Sequence, residues 1–404
     1  MASERHVIVA GAGIAGLTAA LSLARAGFRV TVLEQSPVLE ETGAGIQLSP
    51  NASRILIELG LRDRLEPFIV QPDAIRVMSG GSGREIVRIP LGAAAERRYG
   101  APFWTVHRGD LQAALADTAR SALDVTVKLG IRVDDFAGHS NGITVQAYRG
   151  RQIVDERGAA LIGADGIWSA VSARLKVQRK PTFAHRTAWR ALVPAENVPL
   201  HFRSDMVNLW LGHDAHLVLY PVKAGRLINM VGIVHDEWNE TGWSAAGDRA
   251  EILRHFARFS WADSVRELLS IPDQWLKWAL YDRTAPFMGG AGPVSLIGDA
   301  AHPMLPFLAQ GAGMAIEDAA VLASCMKAHA GAPEAGRIQE GLRAYEKARR
   351  ARTERAQQAS RKQGKLYGQT GPEAAIRNLG MRLLGGEKLL RRYDWLYSWK
   401  AQGN

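Results

Sequence analysis

Four groups of residues in this 404-residue chain have types and spacings that could do chemistry. The first is Gly11-Ala-Gly-Ile-Ala-Gly16, followed by Glu34. Gly11 permits a tight turn, Gly13 lets a pyrophosphate approach bare backbone, and Gly16 lets a helix pack close to a strand. A carboxylate at Glu34 can accept hydrogen bonds from ribose hydroxyls and would repel a 2′-phosphate. Ala15 and Gln35 belong to the same expected nucleotide cradle. The second and third groups are Asp165-Gly166 and Asp299, the latter within Gly298-Asp-Ala-Ala-His302 and ahead of Gln310-Gly-Ala-Gly313. Each aspartate alone could be a turn former. The fourth group is His216-Leu-Val-Leu-Tyr220. On a strand, residues 216, 218 and 220 share a face, so His216 and Tyr220 can address one ligand. The plainer alternative is the polar face of an antiparallel strand.

These groups need elements to hold them. Arg5–Ala10 reads as a buried strand, and Leu17, Ala20, Leu21 and Ala24 share one face of a helix closed by Gly27. Arg29–Glu34 is a second strand, so the opening is a right-handed βαβ unit with parallel strands. Strand Val294–Ile297 delivers Asp299 to a loop stiffened by Pro303 and Pro306, and a helix follows over Met314–Met326. Between Val177 and Tyr281 the pattern changes to alternating runs, Ala184–Val193, Met206–Leu211, His216–Val222 and Arg226–Val234. The last two flank the hairpin signal Lys223-Ala-Gly225. A smaller strand pair near Ile75–Ile89 is expected to join them. The expected fold is α/β. A Rossmann-like nucleotide domain is assembled from 1–74, 101–176 and 285–336. Antiparallel substrate-side strands come from 75–100 and 177–284, and 337–404 forms a basic helical segment.

Composition narrows the classes. No apolar run is long enough for a membrane span, and Met1–His6 leads into a strand without a signal-peptide pattern. The single cysteine, Cys325, excludes a disulfide framework and a cysteine metal cluster and reads as a small buried hydrophobe. A reducing cytoplasm is the expected compartment. The net charge of +10 lies wholly in residues 337–404, which hold sixteen Lys and Arg against six Asp and Glu. The Arg-rich stretch 343–355 offers only Tyr345 for base stacking, so nucleic acid is set aside. Leu342, Tyr345, Arg349 and Arg352 follow helical spacing, as in a solvated helix that packs one face on the body.

The three nucleotide segments together resemble the single-component flavoprotein aromatic hydroxylases, which include salicylate hydroxylase, 3-hydroxybenzoate 6-hydroxylase and 6-hydroxynicotinate 3-monooxygenase. The likeness rests on residues 11–16, Asp165-Gly166 and the segment Gly298–Asp318. It also rests on Glu41-Thr-Gly-Ala-Gly-Ile-Gln-Leu-Ser-Pro-Asn51 and His107-Arg-Gly-Asp-Leu111. It implies a fold of the p-hydroxybenzoate hydroxylase type with bound FAD, and NADH or NADPH as a transient donor without a Rossmann domain of its own. By this resemblance Glu34 binds the adenosine ribose, Arg108 reaches the FAD phosphate or ribityl region, and Leu129 contacts adenine through its backbone. Asp299 accepts from ribityl hydroxyls, and Asp165 bridges towards the nucleotide. Gly311, Ala312 and Gly313 present amides to the flavin's pyrimidine edge, and Gln47 lies beside the ring.

The implied reaction is hydroxylation of a phenolic aromatic acid or related phenol through a flavin C4a-hydroperoxide in a water-excluding cavity. His216 would accept the phenolic proton, directly or through water, and Tyr220 would orient the substrate. Arg190 is a possible carboxylate anchor, His213 a lesser contact, and Pro306 and Phe307 lie on the pocket wall. The 6-hydroxynicotinate enzymes carry histidine where Phe307 and Gln47 stand, so a hydroxybenzoate or larger phenol is favoured. His302 reads equally as a structural loop residue. Competing readings keep the fold but act on an isoprenoid or natural product, or make the chain a non-catalytic flavin sensor. A small molecule and O2 are the expected partners, and the chain a monomer or homodimer.

Overall fold

The computed structural model describes residues 5–39, 44–175, 180–257, 260–284, 288–290, 292–329 and 336–401. Residues 41–43 of the glycine-rich segment before Gln47, and Val177 at the expected start of the substrate sheet, lie outside them.

Val7, Ile8 and Val9 are wholly buried because parallel strands at a sheet centre are covered on both faces. They form the middle of a five-stranded parallel sheet. Its order is Val294–Leu296, Ala160–Gly163, His6–Ala10, Arg29–Glu34, Val125–Leu129. All three expected nucleotide segments therefore end at the carboxyl edge of one sheet. The helix Ile14–Arg25 follows the first strand and packs on the helices Arg108–Ser121 and Gly311–His329. Gly16 makes that packing possible, since a Cβ there would stand 1.9 Å from the Gly11 carbonyl oxygen.

The second large sheet has eight strands. From one edge they run Ser244–Gly247, Trp275–Asp282, Thr182–Pro194, Leu227–His235, Ala215–Val222, Met206–Leu211, Ala74–Ser79 and Glu85–Pro90. All pairings are antiparallel except that of Met206–Leu211 with Ala74–Ser79, where Val207 stands opposite Ile75. The strand pair near residue 80 thus joins this sheet by a parallel contact. The expected hairpin closes at Lys223, Ala224 and Gly225, all left-handed. One face of the sheet packs Trp189, Trp210, Leu217 and Met230 against the helices Arg249–Ala257 and Asp263–Ser270. The opposite face is turned towards the nucleotide sheet. A three-stranded meander, Ile131–Gly158, and a short ladder of Gly45–Leu48 with Trp104–His107 complete the β-structure.

The C-terminal segment packs one face of its first helix on the body, as expected, and adds two further helices. It forms the helices Gly336–Tyr367, Gly371–Arg391 and Asp394–Tyr397. The packed face of the first is mixed: Leu342 and Tyr345 join the main apolar core, and Arg349, Thr353, Gln357 and Ser360 are buried beyond them. Arg349, 1% exposed, donates from Nη1 to Glu317 at 2.7 Å and from Nε to Asp318 at 2.7 Å. Arg352 donates to both Glu317 oxygens, and Tyr345 donates its hydroxyl to the Leu296 carbonyl at 3.0 Å. Two carboxylates buried by the helix Gly311–His329 are therefore neutralised by cations from the following helix, as buried charges require. The basic excess of this region is partly internal.

Candidate active site

Between the two sheets lies a cavity of about 1730 Å3. The nucleotide segments line one end. Gly11, Gly13, Ala15, Glu34 and Gln35 come from the first βαβ unit, and Arg108 opens the helix Arg108–Ser121. Asp165, Asp299, Gly311 and Ala312 complete that end. Gly16 and Gly313 do not reach the cavity and serve packing: a Cβ on Gly313 would stand 2.9 Å from the Gln310 side-chain oxygen. Leu129 also lies away from it, and Ile131, Arg132 and Val133 line that flank instead.

Three local observations fit a dinucleotide here. A Cβ on Gly13 would meet nothing within 4 Å, so the cradle in front of the helix N-terminus is open. The Glu34 carboxylate is held in place by the Ala12 amide at 2.7 Å and the Ser36 amide at 2.8 Å, and it still faces the cavity. Asp299 is open to the cavity yet ringed by protein, and no hydrogen bond among the described residues reaches its carboxylate. Burial raises its pKa, while His302, Arg108 and Arg283 act in the opposite direction. Hydroxyl donors from a ligand would satisfy it.

Asp165 is differently engaged. Its carboxylate accepts from the Ser169 hydroxyl and from the Val171 amide at 3.2 Å, so it helps start the helix Ala170–Arg174 while lining the cavity. His302 is a buried structural partner: its Nε2 meets Asp318 at 2.5 Å, and Asp318 also accepts the Gly298 amide at 2.9 Å. Asp318 thereby fixes the loop carrying Asp299. Gln310 donates to the Ser49 hydroxyl at 2.8 Å and accepts from Asn51, which also donates to Glu317. Ser49, Asn51, Glu317, Asp318 and Arg349 form a support to which motif reading gave no role. The first four lie within the segments that carry the resemblance, and Arg349 was marked by its helical spacing with Arg352.

The eight-stranded sheet roofs the other end. His216, Val218 and Tyr220 line the cavity from one strand face, as period-two geometry requires, and Leu217 and Leu219 point into the opposite core. Tyr220 shares a hydrogen bond with Gln47, and burial raises its hydroxyl pKa. Gly45 brings the Gln47 strand this close, because a Cβ there would stand 2.6 Å from the Tyr220 ring. Burial lowers the His216 pKa to about 3. Its ring packs 5.5 Å from Phe307 and 5.2 Å from Tyr367, centroid to centroid. The expected role as proton acceptor is narrowed: such an imidazole stays neutral, with one N–H donor and one acceptor nitrogen, and takes up no second proton near neutrality. His213 lies in the preceding turn, exposed and away from the cavity. Pro306 and Phe307 line the wall, and Phe307 is backed by Gly364 of the helix Gly336–Tyr367.

Arg190 does not pair on the surface. Its guanidinium lies 4.9 Å from the Trp278 ring centre, its Nε is buried without a partner, and burial lowers its pKa. The groups it feels most are Tyr220 and a second cation, Arg108. Arg190 therefore brings to the cavity wall a cation with no carboxylate partner among the described residues. Trp278, Tyr367, Tyr393 and the helix Gly371–Arg391 also line it, and sequence patterns assigned none of them.

A family model for an FAD binding domain matches residues 4–360. 3-Hydroxybenzoate 6-hydroxylase 1 of Aquipseudomonas alcaligenes is 35% identical over 397 residues, covering 97% of this chain and 96% of that one. A 3-amino-4-hydroxybenzoate 2-monooxygenase of Streptomyces platensis is 36% identical over 398 residues, covering 98% and 96%. Among solved structures, Klebsiella pneumoniae HpxO complexed with FAD and uric acid superposes with a TM-score of 0.83 at 26% identity, covering 97% and 96%. A salicylate hydroxylase substrate complex does so with 0.81 at 25%, covering 98% and 97%. A nucleotide cradle, an acceptor carboxylate and a roofed aromatic chamber on one chain, matched along nearly the whole length, place it in a family: the chain belongs to the single-component FAD-dependent aromatic hydroxylases.

Proposed function

We propose that this chain is an FAD-dependent monooxygenase that uses NAD(P)H and O2 to hydroxylate a phenolic aromatic acid. Bound FAD, reduced by a nicotinamide nucleotide, supplies activated oxygen, one atom of which enters the ring while the other leaves as water. Gly13, Glu34, Arg108, Asp299, Gly311 and Ala312 would hold the cofactor. The observation that carries the substrate class is Arg190, an enclosed cation without a carboxylate partner among the described residues, facing the chamber beside Tyr220.

A buried charge without a counter-ion is costly, and a substrate carboxylate would relieve that cost while fixing the ring's orientation. The Tyr220 hydroxyl, kept protonated by burial, donates to a phenolate or carboxylate oxygen. His216 contributes a neutral hydrogen bond. Phe307, Pro306 and Tyr367 keep water from the reacting edge.

The test is a panel of monohydroxybenzoates and matched phenols lacking the carboxylate, each scored with the FAD-loaded protein for stimulated NADH and NADPH oxidation and for hydroxylated product. Stimulation and product with the acids are expected. Equal response to acids and to uncharged phenols would remove Arg190 from recognition, and no response to any aromatic acid would overturn the reading.

A further inference from the structure

The cavity continues past His216 and Tyr220 into an arm with a different lining. Ile75, Val77, Ile89 and Leu209 come from the far strands of the roof, and Met381 and Leu384 come from the helix Gly371–Arg391. These residues belong to, or pack on, one apolar cluster with Phe103, Leu389 and Tyr397. Tyr367 joins the arm to the reacting end, since its ring lies against His216. Of the cations on this side, Arg377 donates to the Leu366 and Tyr367 carbonyls at 2.9 and 3.1 Å, and Arg392 lines the cavity where it opens to solvent.

Small-ligand sites usually measure roughly 300–1,000 Å3. The whole cavity exceeds that, and the cofactor takes only the end lined by the nucleotide segments. A bare hydroxybenzoate anchored at Arg190 would leave the arm unfilled. Beyond the rings of Tyr393 and Tyr397 the aliphatic walls offer water few partners, so the space would be dry and empty or hold poorly bonded water beside the reacting edge. Either outcome works against a site that must exclude water.

We infer that the substrate ring carries an apolar substituent that extends from the Arg190–Tyr220 end into the arm between the strands Ala74–Ser79 and Glu85–Pro90 and the helix Gly371–Arg391. This rests on the hydroxylase reading and names its substrate class as an aromatic acid bearing an alkyl or aryl extension. Gly380, Met381 and Leu384 make the inner surface of that helix, and their identities set how long an extension fits.

The experiment uses the FAD-loaded protein with 3-hydroxybenzoate and its propyl, pentyl and heptyl derivatives, substituted in turn at each free ring carbon. Kd is read from the change in flavin fluorescence, independently of turnover, and NAD(P)H oxidation is followed in parallel. For at least one substitution position, Kd is expected to fall by about fourfold per buried methylene until the arm is full. Gly380→Leu introduces a side chain whose Cβ meets nothing within 4 Å; with flavin content and the thermal transition as the check on folding, the affinity ratio of pentyl to unsubstituted acid is expected to collapse towards one. Leu384→Trp shortens the optimum chain.

A Kd that is flat or rising with chain length at every position, while 3-hydroxybenzoate still drives oxidation, overturns the extended substrate and leaves the hydroxylase reading intact. A Kd that falls with chain length, with no oxidation from any compound, supports the arm and removes the hydroxylase reading.

Discussion

Arg349 and Arg190 are both enclosed arginines, yet their surroundings are opposite. Arg349 sits below the nucleotide loop with Glu317 and Asp318 against its guanidinium, and their attraction outweighs burial to raise its pKa. Arg190 sits in the roof against Trp278 and Tyr220 with another cation nearby, and burial prevails to lower its pKa. The first region is electrostatically complete within the protein and can hold a loop in place. The second is incomplete, and an incomplete buried site is where a ligand gains most. The nucleotide end shows the same distinction in miniature: Asp318 is saturated with partners, whereas Asp299, in the loop it steadies, has none among the described residues.

The contrast can be broken experimentally, and the largest effect is expected at the complete region. Arg349→Met leaves Glu317 and Asp318 short of a counter-ion, and unfolding measured by heat or denaturant should show a loss of about 3–5 kcal/mol, with reduced flavin content. Stability equal to the parent would mean that the cluster supports nothing.

Next in size, Asp299→Ala should strip most bound FAD while leaving the thermal transition of the apoprotein close to the parent's, because the carboxylate has no hydrogen-bond partner among the described residues to lose. Full flavin loading in that variant would disconnect Asp299 from the cofactor.

Arg190→Met should behave unlike Arg349→Met. Removing a cation without a counter-ion should leave stability unchanged or higher. It should raise KM for an aromatic acid by about 10–100-fold, the equivalent of about 1.4–2.8 kcal/mol of charge-assisted binding. A loss of stability with unchanged KM would reverse the comparison.

Tyr220→Phe should have a smaller effect, a several-fold fall in the hydroxylated product formed per NAD(P)H consumed, with FAD retained. Unchanged coupling would take the hydroxyl out of the reaction.

The last effect is absent at neutral pH and appears only in acid. His216 has a native pKa of about 3 against about 6.5 in an unfolded chain, so the unfolded state binds the extra proton first. Its contribution leaves stability intact above pH ~6.5 and erodes it as pH falls from there towards 3. His216→Asn should flatten that part of the stability–pH curve, and an unaltered curve would show that the imidazole is not excluded from protonation.

Much of the nucleotide end was legible because its requirements are local. A turn that only glycine can make, a helix start facing phosphate and an acid at a strand end all leave marks within a few residues of one another. The shared face of His216 and Tyr220 was equally legible, since strand alternation is a property of consecutive residues. The environment of that face was not. His216 reads as a base in the sequence, and only the packing of Phe307 and Tyr367 around it shows why it stays neutral. Arg190 could have been a surface ion pair, and the sequence held nothing to say that Trp278, nearly ninety residues later, would meet it. The C-terminal charge was visible as a number, but not its distribution between solvent and a buried network.

By itself, the sequence determined the parallel-sheet architecture and a dinucleotide cradle, because glycine spacing and hydrophobic period are short-range consequences of backbone geometry, while FAD and the family came from the resemblance of three separate segments to known hydroxylases. Tertiary structure alone decided which charges are satisfied, which histidine can titrate, and that the C-terminal helices wall the substrate chamber. Those properties depend on desolvation and on counter-charges brought together across the chain, and neither is encoded at any single position.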